Sequence, residues 1–400
     1  MRDTELYQQL LGLAAPWTVD RVELSVTDRR VDVWVGHPQR HQFLCPQPGC
    51  DRELAVRDHA DERSWRHLDS CQFLTYLHAR PPRVDCPEHG AHQVRLPWAE
   101  PMSRFTTLFE RLAIDVLKEC DVQGGARLLR ISWDEAWHLM GRAVARGLSA
   151  KPPKVPAHVG VDEKSVGRGQ DYITVVSDLD AGTVEYIADE RRQASLDGYL
   201  TRLSAEQREQ IQAVAMDMWE PYIRSVRVNL TDPDNKIVFD RYHVMGYLGT
   251  AVDTVRKREH RALAKVGDTT LAGSKYLWLY SVENLPERHI QRLAVLRAAD
   301  LKTGRAWAIK ENLRHFWATH SRLQPVIDAA HTLKRHEAGL LSYFAHRITN
   351  AGAESLNARI QAIRVSARGY RNRENFKTAI FFHCGGLQLY PATVSHGIPG

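Results

Sequence analysis

The stretch HVGVDEKSVGRGQDYITVVSDLD, from His158 to Asp180, decides how this chain is read. It opens as an apolar strand ending on the acidic pair Asp162 and Glu163. A loop with Gly167 and Gly169 follows, and then a second apolar strand over Tyr172–Val176. A carboxylate at the end of a buried strand is costly unless a cation or a shell of hydrogen bonds receives it. The same arrangement recurs in AVAMDMWEPY, where Asp217 follows the apolar run Ala213–Met216. A third acid, Glu354, opens the amphipathic helix NAGAESLNARIQAIR, whose Leu356, Ile360 and Ile363 form an apolar stripe beside a polar face of Glu354, Asn357, Gln361 and Arg364. Two strand-borne aspartates and a helix-borne glutamate are the parts of a two-metal site acting on phosphodiesters.

The elements around these acids predict the fold. Strands at Val159–Val161, Tyr172–Val176 and Val184–Ala188 come in quick succession. The helix SLDGYLTRLSAEQREQI, the strand Ala213–Met216 and a short strand Lys236–Phe239 complete the order of a ribonuclease H-like α/β sheet. Residues 241–345 break that rhythm and read as an all-helical insertion. It begins with a long helix from His243 and ends with one carrying Trp307, Leu313, Phe316 and Trp317. The catalytic domain is therefore expected over 150–240 and 346–391.

Upstream, AKPPKVP is an extended tether, with three prolines in five residues. Before it, residues 100–149 predict a helix-turn-helix. The first helix carries Phe105, Leu108, Leu112, Val116 and Leu117. Ser132 and Glu135 then form a capping box at the start of Ser132–Arg146, the candidate recognition helix, with Trp133, Trp137 and Met140 facing inward. Arg127, Arg130, Arg142 and Arg146 are candidate phosphate contacts, and so are Arg364, Arg368, Arg371 and Arg373 beside the last helix. Residues 1–99 hold an alternating strand pattern over Val22–His37 and two turns, CPQPGC and DCPEHG. Cys45, Cys50, Cys86 and His89 on those turns have the spacing of a tetrahedral zinc site stapling a treble of short strands. His92 is the reserve ligand. Cys71, Cys120 and Cys384 read as buried apolar residues.

Composition is that of an ordinary globular protein, with 43% hydrophobic and 26% charged residues. A net charge of +6 permits a polyanionic partner. Six cysteines in 400 residues do not make a disulfide framework. No apolar run approaches a membrane span, and MRDTELYQQL lacks a signal-peptide core, which points to a cytosolic protein without a membrane partner.

Taken together, CPQPGC with CPEHG, WRHLD (Trp65–Asp69), VGVDEKS, AMDMWEPY, FDRYHV (Phe239–Val244) and NAGAESLNARIQAIRVSARGYRN resemble the ISL-three family of bacterial insertion-sequence transposases, nearly along the whole chain. The resemblance implies a zinc-binding N-terminal module, a helix-turn-helix and a DDE catalytic domain with a long insertion, in a nucleoid-associated cytoplasmic protein. It maps the triad onto Asp162, Asp217 and Glu354, which would hold Mg²⁺ or Mn²⁺. Asp240 and His243 match a family motif without an assigned role. Two departures are visible: His89 stands where a Cys is common, and Ala353-Glu354-Ser355 where Glu-Gly is frequent. The implied activity is cleavage of the element's ends and joining of their 3′-hydroxyls to target DNA. The implied partners are double-stranded DNA, as terminal inverted repeats and target, and a second copy of the chain in a homodimer or larger assembly. Two rival readings are a DNA-binding regulator without chemistry and a structure-selective, metal-dependent nuclease.

Overall fold

The computed structural model describes residues 2–166, 171–239, 241–280, 285–311, 324–328 and 351–392, without the side chains of 241–245, 247 and 351–354. Contacts divide the chain into two units, Met1–Pro152 with Glu374–Gly400, and Pro153–Arg373. The segment after 373, read above with the catalytic domain, thus counts with the first unit.

The first unit begins with helix α1 (Asp3–Leu10) and eight strands: β1 (Thr18–Ser25), β2 (Arg30–Gly36), β3 (Gln42–Leu44), β4 (Glu53–His59), β5 (Arg63–Ser70), β6 (Phe73–Ala79), β7 (Pro82–Cys86) and β8 (Gly90–Gln93). They form two four-stranded sheets, ordered β1-β2-β6-β5 and β3-β4-β7-β8. The module is larger than the expected treble of strands. The single pattern over Val22–His37 is a hairpin, turned at Arg29 with φ 50°. Val31, Val33 and Val35 do share a buried face, packed with Trp17, Trp65, Leu77 and Trp98. Burying such large side chains stabilises by about 2 kcal/mol each. That core explains a fold this size without disulfides.

Three helices follow: α2 (Thr107–Glu119), α3 (Val122–Leu129) and α4 (Trp133–Ala150). Thr106, Asp121 and Ser132 cap them through side-chain oxygens, and Glu135 closes the expected capping box. Arg130 closes α3 in the left-handed region at φ 54°, producing the sharp turn into α4. The phase of α2 differs from the expectation. Phe109, Glu110, Ala113, Ile114 and Leu117 are buried, while Leu112 is exposed. The reason is the buried Glu110, an acid where the apolar count skipped a position. Trp133 is also exposed, at 52%, and does not pack inward.

The second unit holds one five-stranded sheet of β9 (His158–Ser165), β10 (Tyr172–Asp178), β11 (Thr183–Asp189), β12 (Ala213–Met216) and β13 (Ile237–Phe239). Its order is β11-β10-β9-β12-β13. The first three strands pair antiparallel; β12 joins β9 and β13 in parallel. The one helix expected after β11 is two, α5 (Gln193–Leu200) and α6 (Ala205–Glu209), because Ser204 starts a fresh capping box. Helix α7 (Glu220–Asn229), unforeseen in the sequence, starts with Pro221 in its first turn, and α8 (Pro233–Lys236) leads into β13. Val159, Val161, Val176, Leu196, Val214, Tyr222 and Val226 form the core between the sheet and these helices. Beyond β13 come α9 (Arg241–Ala264), α10 (Lys275–Leu279), α11 (Glu287–Ala298) and α12 (Lys302–Glu311). They pack around their own core of Val252, Leu271, Trp278, Leu293, Leu296 and Trp307. Leu313, Phe316, Trp317 and Asp240 lie outside the described residues. The helix Ala351–Ser366 returns to the sheet, with Leu356 and Ile360 buried. No helix among the described residues is long and apolar enough to cross a membrane.

Candidate metal centres and nucleic-acid interface

The four predicted zinc ligands converge. The ligand atoms of Cys45, Cys50, Cys86 and His89 all lie within 4.8 Å of one another, with the three cysteines buried. His89 Nδ1 is 3.7 Å from Cys45 Sγ and 3.5 Å from Cys86 Sγ, and the Cys50 and Cys86 sulfurs are 4.0 Å apart. A tetrahedral zinc with its usual bond lengths demands edges of about 3.5–3.8 Å, so the quartet fits that ion. Gly49, at φ 80°, and Gly90, at φ 75°, supply the tight backbone of the two knuckles. The backbone N–H of Glu88, aided by the His89 ring, brings the Cys86 thiol down to about 6, towards the thiolate that binds metal. His92 is not a ligand here: its Nε2 sits 2.7 Å from the His89 carbonyl oxygen. Cys71 is exposed at a turn with φ 48°, not buried in a strand, because the hairpin between β5 and β6 falls on it. Cys120 is half-buried at the end of α2, and Cys384 is buried as expected.

In the sheet of the second unit, β12 pairs Ala213 with His158 and Ala215 with Gly160. Continued by two residues, that register sets Asp217 beside Asp162. Asp162 accepts from the side-chain amide of Asn357 at 2.7 Å, from Lys164 Nζ at 2.7 Å and from the Glu163 backbone N–H at 2.7 Å. Asn357 lies one turn after Glu354 on the helix Ala351–Ser366. The side chains of Glu354 and His243 lie outside the described residues. Asp217 accepts from the Met218 backbone N–H at 2.7 Å. Glu163 leaves the opposite face of β9, as alternation requires, and accepts from Arg191 Nε at 2.6 Å. Burial pushes the Glu163 carboxyl above the usual range, Asp162 and Asp217 add to the push, and Arg191 opposes it. Burial also raises the Tyr222 phenol, whose oxygen is 2.8 Å from Thr174 Oγ1. The sequence reading missed Lys164, Arg191 and the contact of Asn357. Lys164 was legible, since two residues after Asp162 on a strand is the same face.

The eight candidate arginines separate sharply. Arg127 is exposed on α3. Arg142 and Arg146 are not free for phosphate. Arg146 pairs with Glu100 and Glu110, both at 2.7 Å, and Arg142 with the same acids at 3.0 and 3.5 Å. Glu110 is only 1% exposed and also accepts from Ser103 Oγ at 2.6 Å. A carboxylate buried this deeply requires such partners. Arg130 donates to the Gln72 carbonyl at 2.7 Å and side chain at 2.6 Å, and lies 3.4 Å from Asp69. Asp69 in turn pairs with the buried Arg66, which gives the WRHLD phrase a role in tying β5 and its hairpin to the helix-turn-helix. Arg373 pairs with Asp171 and, at 3.2 Å, with Asp189. Arg364 is half-buried, and Arg368 and Arg371 are exposed.

A zinc quartet, a capped helix-turn-helix and a mixed sheet bearing paired acids define a class of multidomain, zinc-containing DNA-binding proteins. The comparisons with known proteins give the family. A transposase model of the ISL3 family matches residues 159–380, more than half of the chain. The zinc-finger model of transposases IS204, IS1001, IS1096 and IS1165 matches 42–89, which contains all four ligands. The helix-turn-helix model of the ISL3 family matches 94–144. The chain belongs to the ISL3 family of transposases. It is 27% identical to the transposase for insertion sequence element IS1557 of Mycobacterium tuberculosis, over 93% of each chain. It is 24% identical to the transposase for IS1001 of Bordetella parapertussis, over 94% of this chain and 97% of that one.

Proposed function

We propose that the chain is a DDE transposase that binds the terminal inverted repeats of its insertion sequence, cleaves there, and joins the 3′-hydroxyl ends to target DNA. The catalytic domain is read as ribonuclease H-like, over residues 150–240 and the helix Ala351–Ser366, with helices α9 to α12 as an insertion between them. Strand order β11-β10-β9-β12-β13, antiparallel through the first three strands and parallel beyond, supports that reading.

One observation carries it. The β9–β12 register, continued past Ala215–Gly160, sets Asp217 level with Asp162, and Asn357 ties the helix of Glu354 to the Asp162 carboxylate. Three hard oxygen donors suit Mg²⁺ or Mn²⁺, which take few carboxylates and leave room for water and phosphate oxygens. Two such ions, when bound, supply an activated attacking oxygen and charge for the leaving 3′ oxygen. The chain's residues prepare the acids for this. The Met218 N–H fixes Asp217 Oδ1 and the Glu163 N–H fixes Asp162 Oδ1. Asn357 orients Asp162 Oδ2, and Lys164 balances its charge. The helix-turn-helix, with Arg127 exposed, delivers the DNA end. Synapsis of two ends calls for a homodimer or larger assembly.

The test is a cleavage and strand-transfer assay on duplexes from the element's own ends, with Mg²⁺, Mn²⁺ or EDTA. Metal-dependent nicking that leaves 3′-hydroxyls, followed by joining to a plasmid, is expected. Asp217→Asn should end cleavage while sparing end binding; retained cleavage by that variant overturns the assignment.

A further inference from the structure

Arg191, in the connection between β11 and α5, is held in place from two sides. Its Nε donates to Glu163 Oε1 at 2.6 Å, and its guanidinium carbon lies 4.1 Å from the centroid of the Trp219 ring. Its Nη2 stands 3.9 Å from Asp217 Oδ2, too far for a hydrogen bond. Among the described residues Nη1 has no partner. A guanidinium has five donors in a rigid plane, so most of this one's capacity is unspent. The side chain remains 31% exposed and lines a cavity of about 640 Å³ shared with Tyr172, Arg192 and Trp219.

From this geometry we infer that Arg191 binds the scissile phosphate, and that Glu163 and Trp219 are positioning residues for it. The inference rests on the two-metal reading above. Three features carry it. A fork-shaped cation matches two phosphate oxygens at once, which a point charge cannot. The ion pair and the stacking contact fix the plane before DNA arrives, so little side-chain freedom is lost on binding. The open donors belong to a group bordering Asp217, where a phosphate shared with a cation on that acid would lie. Glu163 is then no ion ligand, although it neighbours Asp162. It leaves the other face of β9 and spends its carboxylate on Arg191. Trp219 keeps its indole N–H buried without a partner, consistent with a ring placed for its face and not for its hydrogen bond.

The experiment uses the full chain and two duplexes of its element's end, one natural and one with a neutral methylphosphonate at the scissile position. Binding is measured in EDTA and cleavage in Mg²⁺. The parent should bind the natural duplex several-fold more tightly, and Arg191→Ala should bind both alike. Cleavage by Arg191→Ala should fall about 100-fold, with partial rescue by added ethylguanidinium; Arg191→Lys should fall between. Glu163→Gln should slow cleavage about tenfold at an unchanged Mg²⁺ midpoint. Arg191→Ala that cleaves like the parent and still distinguishes the duplexes overturns the inference. So does Glu163→Gln that needs more Mg²⁺ while Arg191→Ala is normal, for that makes Glu163 an ion ligand. Cleavage retained by Asp217→Asn brings down the two-metal reading and this one together. Loss in Asp217→Asn with a normal Arg191→Ala brings down only this one.

Discussion

The zinc knuckles and the carboxylate cluster are built on opposite plans. Cys45, Cys50, Cys86 and His89 supply four ligands to one tetrahedral position, and among the described residues their hydrogen-bond partners include no Lys or Arg side chain. Asp162 and Glu163 instead come with cations of the chain's own, Lys164 and Arg191. The first plan makes an ion part of the fold. The second balances the acids with the chain's own cations, which matters most at Glu163, where an unbalanced buried charge would cost several kcal/mol. The difference teaches which site the chain can fold without.

The largest effect should break the two apart. Cys86→Ser is expected to remove zinc, and with it metal-binding energy on the order of 10 kcal/mol. Metal analysis and thermal unfolding of the full chain would show both losses. Asp162→Asn should leave zinc and melting untouched while cleavage falls about a thousandfold. If Cys86→Ser melts like the parent, the zinc is ornamental and the contrast fails.

Next in size is Glu110→Gln. It leaves Arg142 and Arg146 to share Glu100, with a neutral amide where the buried acid stood. A loss of about 3 kcal/mol in denaturant unfolding is expected; a loss below 1 kcal/mol would mean the buried pair is expendable.

Smaller still, Arg127→Ala should lower the salt slope of end binding by about one. The parental slope should survive in Arg142→Gln, because Arg142 pairs with acids and not with a phosphate. Equal slopes in the two variants would return Arg142 to the DNA contacts. Smallest of all, Cys71→Ser should stay within about 0.5 kcal/mol of the parent with full zinc content, since it is exposed and outside the quartet.

Much of the plan was legible before any coordinates. Strong punctuation carried it: prolines at 152–156, the C-P turns, and the capping box at Ser132 and Glu135. The zinc quartet was legible because metal ligands obey spacing rules. The phase of α2 was not, because Glu110 is an acid inside the core, visible only with Arg142 and Arg146 beside it. Those two arginines looked like phosphate contacts for the same reason: charge in a sequence does not reveal its partner. Arg191 was out of reach altogether. It stands 28 residues from Glu163, and only the connection after β11, two strands away from β9 in the sheet, brings them together.

The clamp from Arg130 to Gln72 and Asp69 has a consequence for how such a protein could be rebuilt. The turn of the helix-turn-helix is anchored in the hairpin that follows β5. Grafting residues 94–144 alone onto another member of the family would leave Arg130 without its anchor. A working chimera has to exchange the zinc module, the helices and the segment after Arg373 together, because that segment belongs to the same unit and accepts from Arg146 and Lys118.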